Sequence, residues 1–143
     1  MNYIKIEQKT LRALLLTPKT DKINFNSHLV MRIEQVIDKK ISDLTESDIR
    51  LLVNQSFGLE YVIPLAINLL EEDLFLESDF YEGDLLLNLI SIDNTYWKKH
   101  RDQWEKLHKT LTNQFNNIHQ IIFDDSIKTD LIEKHDNFMK IIF

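Results

Sequence analysis

Apolar positions recur at three- and four-residue intervals through most of the chain, which is the period of helices that bury one face. In His28 to Lys40, HLVMRIEQVIDKK, the residues Leu29, Ile33, Val36 and Ile37 share a face, with Ser27 placed as a cap. Thr45 is followed three residues later by Asp48, ahead of the apolar IRLLV. This is a capping-box start in which the short Asp replaces the usual Glu or Gln. Gly58 is expected to be the left-handed residue that ends this helix near Phe57. Leu59 to Glu72, LEYVIPLAINLLEE, is apolar almost all round, so it predicts a central helix covered on most sides. Pro64 must then lie in its first turn or impose a kink, because proline has no amide proton and clashes with the preceding turn. Asp79 and Glu82 form a possible cap pair, with Gly83 beside the start of the apolar LLLNLI. Trp97, Trp104, Leu107 and Leu111 make a stripe that predicts one longer, more polar helix over Tyr96 to Leu111. IHQIIF and DLIEKHDNFMKIIF predict one or two closing helices. At the start, NYIKIEQ alternates like a strand and TLRALLL suits a short helix. A lone strand would have nothing to pair with, so a helix and an extended arm both stay open for the first sixteen residues.

Composition sharpens this pattern. Two Gly and two Pro in 143 residues are too few for the tight turns of a sheet-rich fold. The expected fold is all-α, a compact single-domain bundle of about six to eight helices spanning residues 1–143, its N-terminal segment undecided. No internal repeat or linker composition divides it. A hydrophobic content of 43% argues against wholesale disorder, and no apolar run approaches the eighteen residues of a membrane span. MNYIKIEQKT lacks an apolar signal core, so the chain is expected to be cytoplasmic. The absence of Cys excludes disulfides, thiolate zinc sites and cysteine nucleophiles.

Charge adds a functional direction. Asp43 to Asp84 holds eleven acidic side chains and one Arg, a net charge of -10, whereas the remainder sums to +4 and the whole chain to -6. A one-signed surface steers oppositely charged partners, so this region suits a basic protein rather than nucleic acid or an anionic membrane. The carboxylates expected to act as a group are Glu60, Glu71, Glu72, Asp73, Glu77, Asp79 and Glu82. Phe75, Phe80 and Tyr81 flank them as aromatic surface anchors, able to meet a cation by ring and by charge. Tyr81 and Asp84 are divided between fold maintenance and partner contact, and a purely solvated acidic face is the plain alternative. Asn54 and Gln55 are candidates for buried polar residues that fix packing, and Arg50 is expected to pair with a local carboxylate.

Catalytic chemistry finds little support. His100 and His108 are eight apart, about 12 Å along a helix and too far for one metal. His28, His119 and His135 have no partner pattern, and no metalloprotease, nucleophile-elbow, phosphate-loop or calcium-loop motif is present. Adjacent Glu71 and Glu72 diverge rather than converge on a substrate. Asp79, Glu82 and Asp84 depart from a calcium-loop register, and helix capping accounts for two of them more simply. No catalytic residue, cofactor or metal site is therefore assigned. Nor is any heptad run long enough to argue self-association.

Four ordered segments resemble the helical immunity proteins of bacterial contact-dependent growth inhibition systems. Leu44, Thr45, Asp48, Ile49 and Arg50 match a family-like L-T-x-x-D-I/L-R start, and Gln55, Gly58 and Leu59 a Q-x-x-G-L turn. Pro64, Leu65 and Ala66 match P-L-A, and Tyr81, Gly83, Asp84, Leu85 and Leu86 match Y-x-G-D-L-L. The resemblance runs from about Ser27 to Leu107. Members often carry Pro where this chain has Glu82, and Pro in the loop where it has Asp73-Leu74, changes that loosen the loop and add negative charge. The resemblance implies a cytoplasmic protein that binds and neutralises a toxin C-terminal domain in a stoichiometric, non-enzymatic complex. Many such toxins attack RNA or DNA and are basic, which agrees with the charge pattern. The alternatives are an acidic adaptor or antitoxin for another basic protein and, with less support, a small metal-dependent hydrolase.

Overall fold

The computed structural model describes residues 5–17 and 27–143. Nine α-helical segments follow in order: α1 (Leu11–Leu14), α2 (His28–Ile37), α3 (Glu46–Asn54), α4 (Leu59–Glu72), α5 (Asp84–Ile90), α6 (Asn94–Lys99), α7 (Arg101–Gln114), α8 (Ile118–Ile121) and α9 (Asp125–Met139). Only α1 and α8 are single turns. Among the described residues there is no strand, only isolated antiparallel bridges between Thr10 and Lys40 and between Glu77 and Glu82. The fold is the expected all-α bundle around one core.

Local chemistry sets most helix starts. Ser27 Oγ accepts from the Val30 N–H and Asp124 Oδ1 from the Ile127 N–H, which begins α2 and α9. At α3 the capping box is complete: Thr45 Oγ1 accepts from the Asp48 N–H, and Asp48 Oδ2 accepts from the Thr45 N–H. Asp48 is buried and also takes Lys39 Nζ at 2.7 Å. Burial alone would raise its pKa, but Lys39 and Thr45 hold the carboxyl below the ordinary range.

The end of α3 corrects one expectation. Ser56, at φ +52°, is the left-handed residue there, and the Phe57 N–H to Leu52 O and Ser56 N–H to Val53 O bonds close a Schellman turn around it. Gly58, also left-handed at φ +63°, instead starts α4.

Helix α4 occupies the centre, packed against α3, α5 and α7. Val62, Ile63, Ala66, Ile67 and Leu70 are fully buried, each larger side chain contributing roughly 1.5–3 kcal/mol. Pro64 sits six residues into α4, beyond the first turn. It leaves the Glu60 carbonyl without its usual i+4 donor, and Gln103 Nε2 of α7 supplies a replacement at 3.3 Å. At the other end, Gln114 Nε2 donates to the Glu71 carbonyl.

The helix expected over Tyr96 to Leu111 is divided at His100, whose φ of -131° breaks the helical path. The His100 ring stacks on Tyr96 at 4.0 Å and its Nδ1 lies 2.9 Å from the Tyr96 carbonyl. Both tryptophans remain on the inward stripe. Trp97 and Trp104 rings lie 5.1 and 5.7 Å from Phe138, and Trp104 Nε1 donates to the Phe138 carbonyl at the end of α9. At the N-terminal end, Ile6–Gln8 form a 3-10 turn and Thr10 caps α1, while residues 1–4 of the undecided segment lie outside the described residues. The Ile41 N–H donates to Lys9 O, and Arg12 pairs with Glu34 and Asp38, so this arm docks onto α2 and the turn that follows it.

Candidate partner-binding surface

After Glu72 the chain leaves α4 through extended Asp73, and Leu74 and Phe75 turn straight into the core. It returns between Glu77 and Glu82, which face one another across the isolated bridge. Gly83 then adopts φ +86°, its N–H donating to the carbonyls of Phe75 and Leu76. A Cβ at this position would come within 3.1 Å of Leu131 Cδ1 on α9, so both the backbone angle and the close approach call for glycine.

Asp84 holds this loop. Its Oδ1 accepts from the Ser78 N–H, Ser78 Oγ and the Leu85 N–H, and its Oδ2 from the N–H groups of Asp79 and Phe80, all at 2.7–3.0 Å. The side chain is 99% buried, with 1% exposure. Burial pushes its pKa up, but the hydrogen bonds from Phe80, Ser78 and Asp79 outweigh burial and leave the carboxyl below the ordinary range. The expected capping pair Asp79 and Glu82 is therefore corrected: Gly83 stands at the start of α5, and Asp84, the first helical residue, caps the preceding loop instead.

Arg50 of α3 reaches the same loop. One Nη lies 3.3 Å from Asp79 Oδ2, and the guanidinium carbon lies 4.6 Å from the centre of the Phe80 ring. Arg32 of α2 approaches the same Asp79 oxygen at 3.9 Å and donates to Ser47 Oγ. Asp79 thus serves two guanidiniums, and the pairing expected of Arg50 is present.

The carboxylates predicted as a group are arranged unequally. Glu72, Asp73, Glu77 and Glu82 are exposed at the end of α4 and in the loop, and Glu71 beside them lies 4.0 Å from Lys106. Glu60 is exposed but lies twelve residues back, about 18 Å along the helix axis, and does not join them. Of the expected aromatic anchors, Phe80 is 67% exposed, Tyr81 is half-buried, and Phe75, at 3%, is a core residue whose ring lies tilted 6.0 Å from Phe115. Acidic neighbours in sequence made Phe75 look superficial, but the turn after Asp73 sends it inward. Burial and then Asp84 raise the Tyr81 pKa, so its phenol stays protonated.

Between α3 and α5, under Phe80, lies a cleft of about 370 Å³ lined by Arg50, Asn54, Tyr81 and Asn88 among others. Asn54 and Gln55 are exposed at its edge, not buried as expected. Their amides form a chain: Gln55 donates to Asn54, Asn54 to Asn88 and Asn88 to the Asp84 carbonyl. Asn88 sits in the apolar run LLLNLI, where its sequence neighbours give no sign of a polar role. Arg50, the lone cation between Asp43 and Asp84, was the available signal.

Among the described residues no group of three or more His, Cys, Asp or Glu side chains could hold a metal. His100 stacks on Tyr96 and His108 packs against Trp104. No helix among the described residues is long and apolar enough to cross a membrane.

A family model described as CDI immunity proteins matches residues 15–107, about two-thirds of the chain. Searches of curated proteins and of solved structures gave no significant match.

Proposed function

The chain belongs to the CDI immunity protein family, and from that membership we propose that it neutralises a cognate, basic toxin domain by a stoichiometric, non-enzymatic complex in the cytoplasm. The observation that carries the choice of surface is the α4–α5 loop. With Glu72 at the end of α4, it displays Asp73, Glu77 and Glu82 to solvent together with an exposed Phe80, on a backbone fixed from beneath by Asp84. Exposed carboxylates steer a basic partner and select its orientation, while a large ring on a fixed loop buries apolar area with little loss of freedom. Such a contact neutralises a nuclease-type domain by covering its active site or by holding an inactive conformation.

The reading is tested by titrating the toxin domain encoded immediately upstream with the purified protein, reading binding and toxin activity together. Activity abolished near one-to-one is the expected result. Raising the salt concentration is expected to slow association more than it speeds dissociation, because rim charges act mainly on encounter. No binding and no protection would overturn the assignment to that toxin. Tight binding with salt-insensitive association would move the contact away from the acidic loop.

A further inference from the structure

The acidic loop accounts for attraction, but the cleft beside it has the opposite chemistry. Arg50 is 93% buried, with 7% exposure, and its Nε–H has no acceptor among the described residues. Its one carboxylate partner, Asp79, is shared with Arg32 and meets a single Nη at 3.3 Å. The buried carboxylate in the wall, Asp84, already accepts five hydrogen bonds.

The amides lining the cleft point the same way. The side-chain oxygens of Asn54 and Asn88 each accept a bond, from Gln55 and Asn54 respectively. Their NH2 groups donate to Asn88 and to the Asp84 carbonyl respectively, and each has a second N–H. Tyr81, protonated at neutral pH, adds a hydroxyl. The buried Arg50 Nε–H and the second amide N–H groups thus offer donors to the cleft, and an ionised carboxylate is the side chain that is acceptor only and matches the guanidinium fork.

We infer that this cleft receives an Asp or Glu side chain of the bound toxin domain, which pairs with Arg50 after the Phe80 ring turns aside. This rests on the immunity reading and names one contact within it. The Phe80 ring is largely exposed and lies on a loop, so its displacement gives up only an exposed cation–π contact. A carboxylate entering past the loop is repelled by Glu77, Asp79 and Glu82 and finds its buried cationic partner in Arg50, with Arg32 already at the Asp79 oxygen. The pair therefore fixes the register of a complex that the loop charges alone would leave loose.

The experiment uses the full chain and the cognate toxin domain. Each toxin Asp and Glu is changed to Asn or Gln and its Kd measured against the wild type, Arg50→Met and Asn88→Ala. One toxin carboxylate is expected to cost at least tenfold in affinity against the wild type and less than threefold against Arg50→Met. Because Arg50→Met removes a buried residue, the unmodified protein gives a second reading, the Arg50 Nε–H resonance in 15N-labelled protein. It is expected to move downfield in the wild-type complex and not in the complex with that toxin variant. A complex that forms while no toxin carboxylate couples to Arg50 and the resonance stays in place overturns this inference and leaves the immunity reading standing. If no complex forms, both fall.

Discussion

Removing the Asp84 carboxylate tests whether the displayed loop is built from beneath. Asp84→Ala deletes the acceptor of five hydrogen bonds in one step, four from backbone N–H groups and one from a hydroxyl. A hydrogen bond to an ionised group is worth about 1.5–3 kcal/mol. The five do not add, because the loop lies at the surface and its donors turn to water once it loosens. The expected net loss is about 3–4 kcal/mol, the scale of breaking a buried charge network. For a chain of this length that is about 10–15 °C in Tm. Asp84→Asn keeps one acceptor oxygen but turns an NH2 group toward the donors, with an expected loss of about 2–3 kcal/mol. Because the folded carboxyl titrates below its unfolded value, the stability it contributes is complete above about pH 5 and is lost as pH falls through the unfolded and then the folded value. Urea unfolding from pH 6 to pH 2.5 is thus expected to show a steeper acid loss for the wild type than for Asp84→Asn. Amide exchange should show protection lost at Ser78, Asp79 and Phe80 in the variant. A loss below about 1 kcal/mol for Asp84→Ala, or an unchanged acid slope, would refute the role given to this carboxylate.

Gly83→Ala combines a left-handed backbone with a methyl group 3.1 Å from Leu131 Cδ1, and is expected to cost about 1–2 kcal/mol by urea unfolding, chiefly from the backbone since the leucine tip can yield. Glu77→Gln removes one of two like charges facing each other across the bridge. Stability at low salt should rise by about 0.3 kcal/mol while toxin association slows, and two changes of the same sign would contradict the separate roles. His135 is stacked on Phe115 at 3.7 Å, and burial lowers its pKa against the opposing pull of Asp136. The unfolded state therefore takes up the proton first as pH falls, so stability drops from above pH 6.5 through the folded value, and His135→Gln should flatten that part of the profile.

Signals that act within one turn of chain were legible in the sequence. Ser27 and Thr45 cap their helices because hydroxyl, spacing and apolar run all lie within four residues. The stripe through Trp97, Trp104 and Leu107 likewise marked the inward face. What escaped depends on direction in space. Asp79 and Asp84 are both plausible helix-start acids, and only the left-handed turn at Gly83 decides that the second belongs to the helix and reaches back to the loop. The break at His100 is set by one residue's backbone angle, supported by a stack on Tyr96 that hydrophobic periodicity does not encode. In the candidate surface, the acidic segment was visible as charge, but Phe75 and Glu60 left it once the chain path was fixed. The donor-lined cleft arises from α3 and α5 meeting across more than thirty residues of sequence.

Asp84 grips the loop almost wholly through main-chain N–H groups, and at Asp79 and Phe80 it bonds nothing of the side chain. The path of the loop backbone is thereby held by bonds that a change of side chain at Phe80 leaves in place, while the Asp79 side chain still ties the loop to Arg50 and Arg32. A substitution at exposed Glu77 or Glu82 likewise touches none of the five bonds to Asp84. The exposed positions of this loop can therefore change one at a time while the bonds that shape it stay in force.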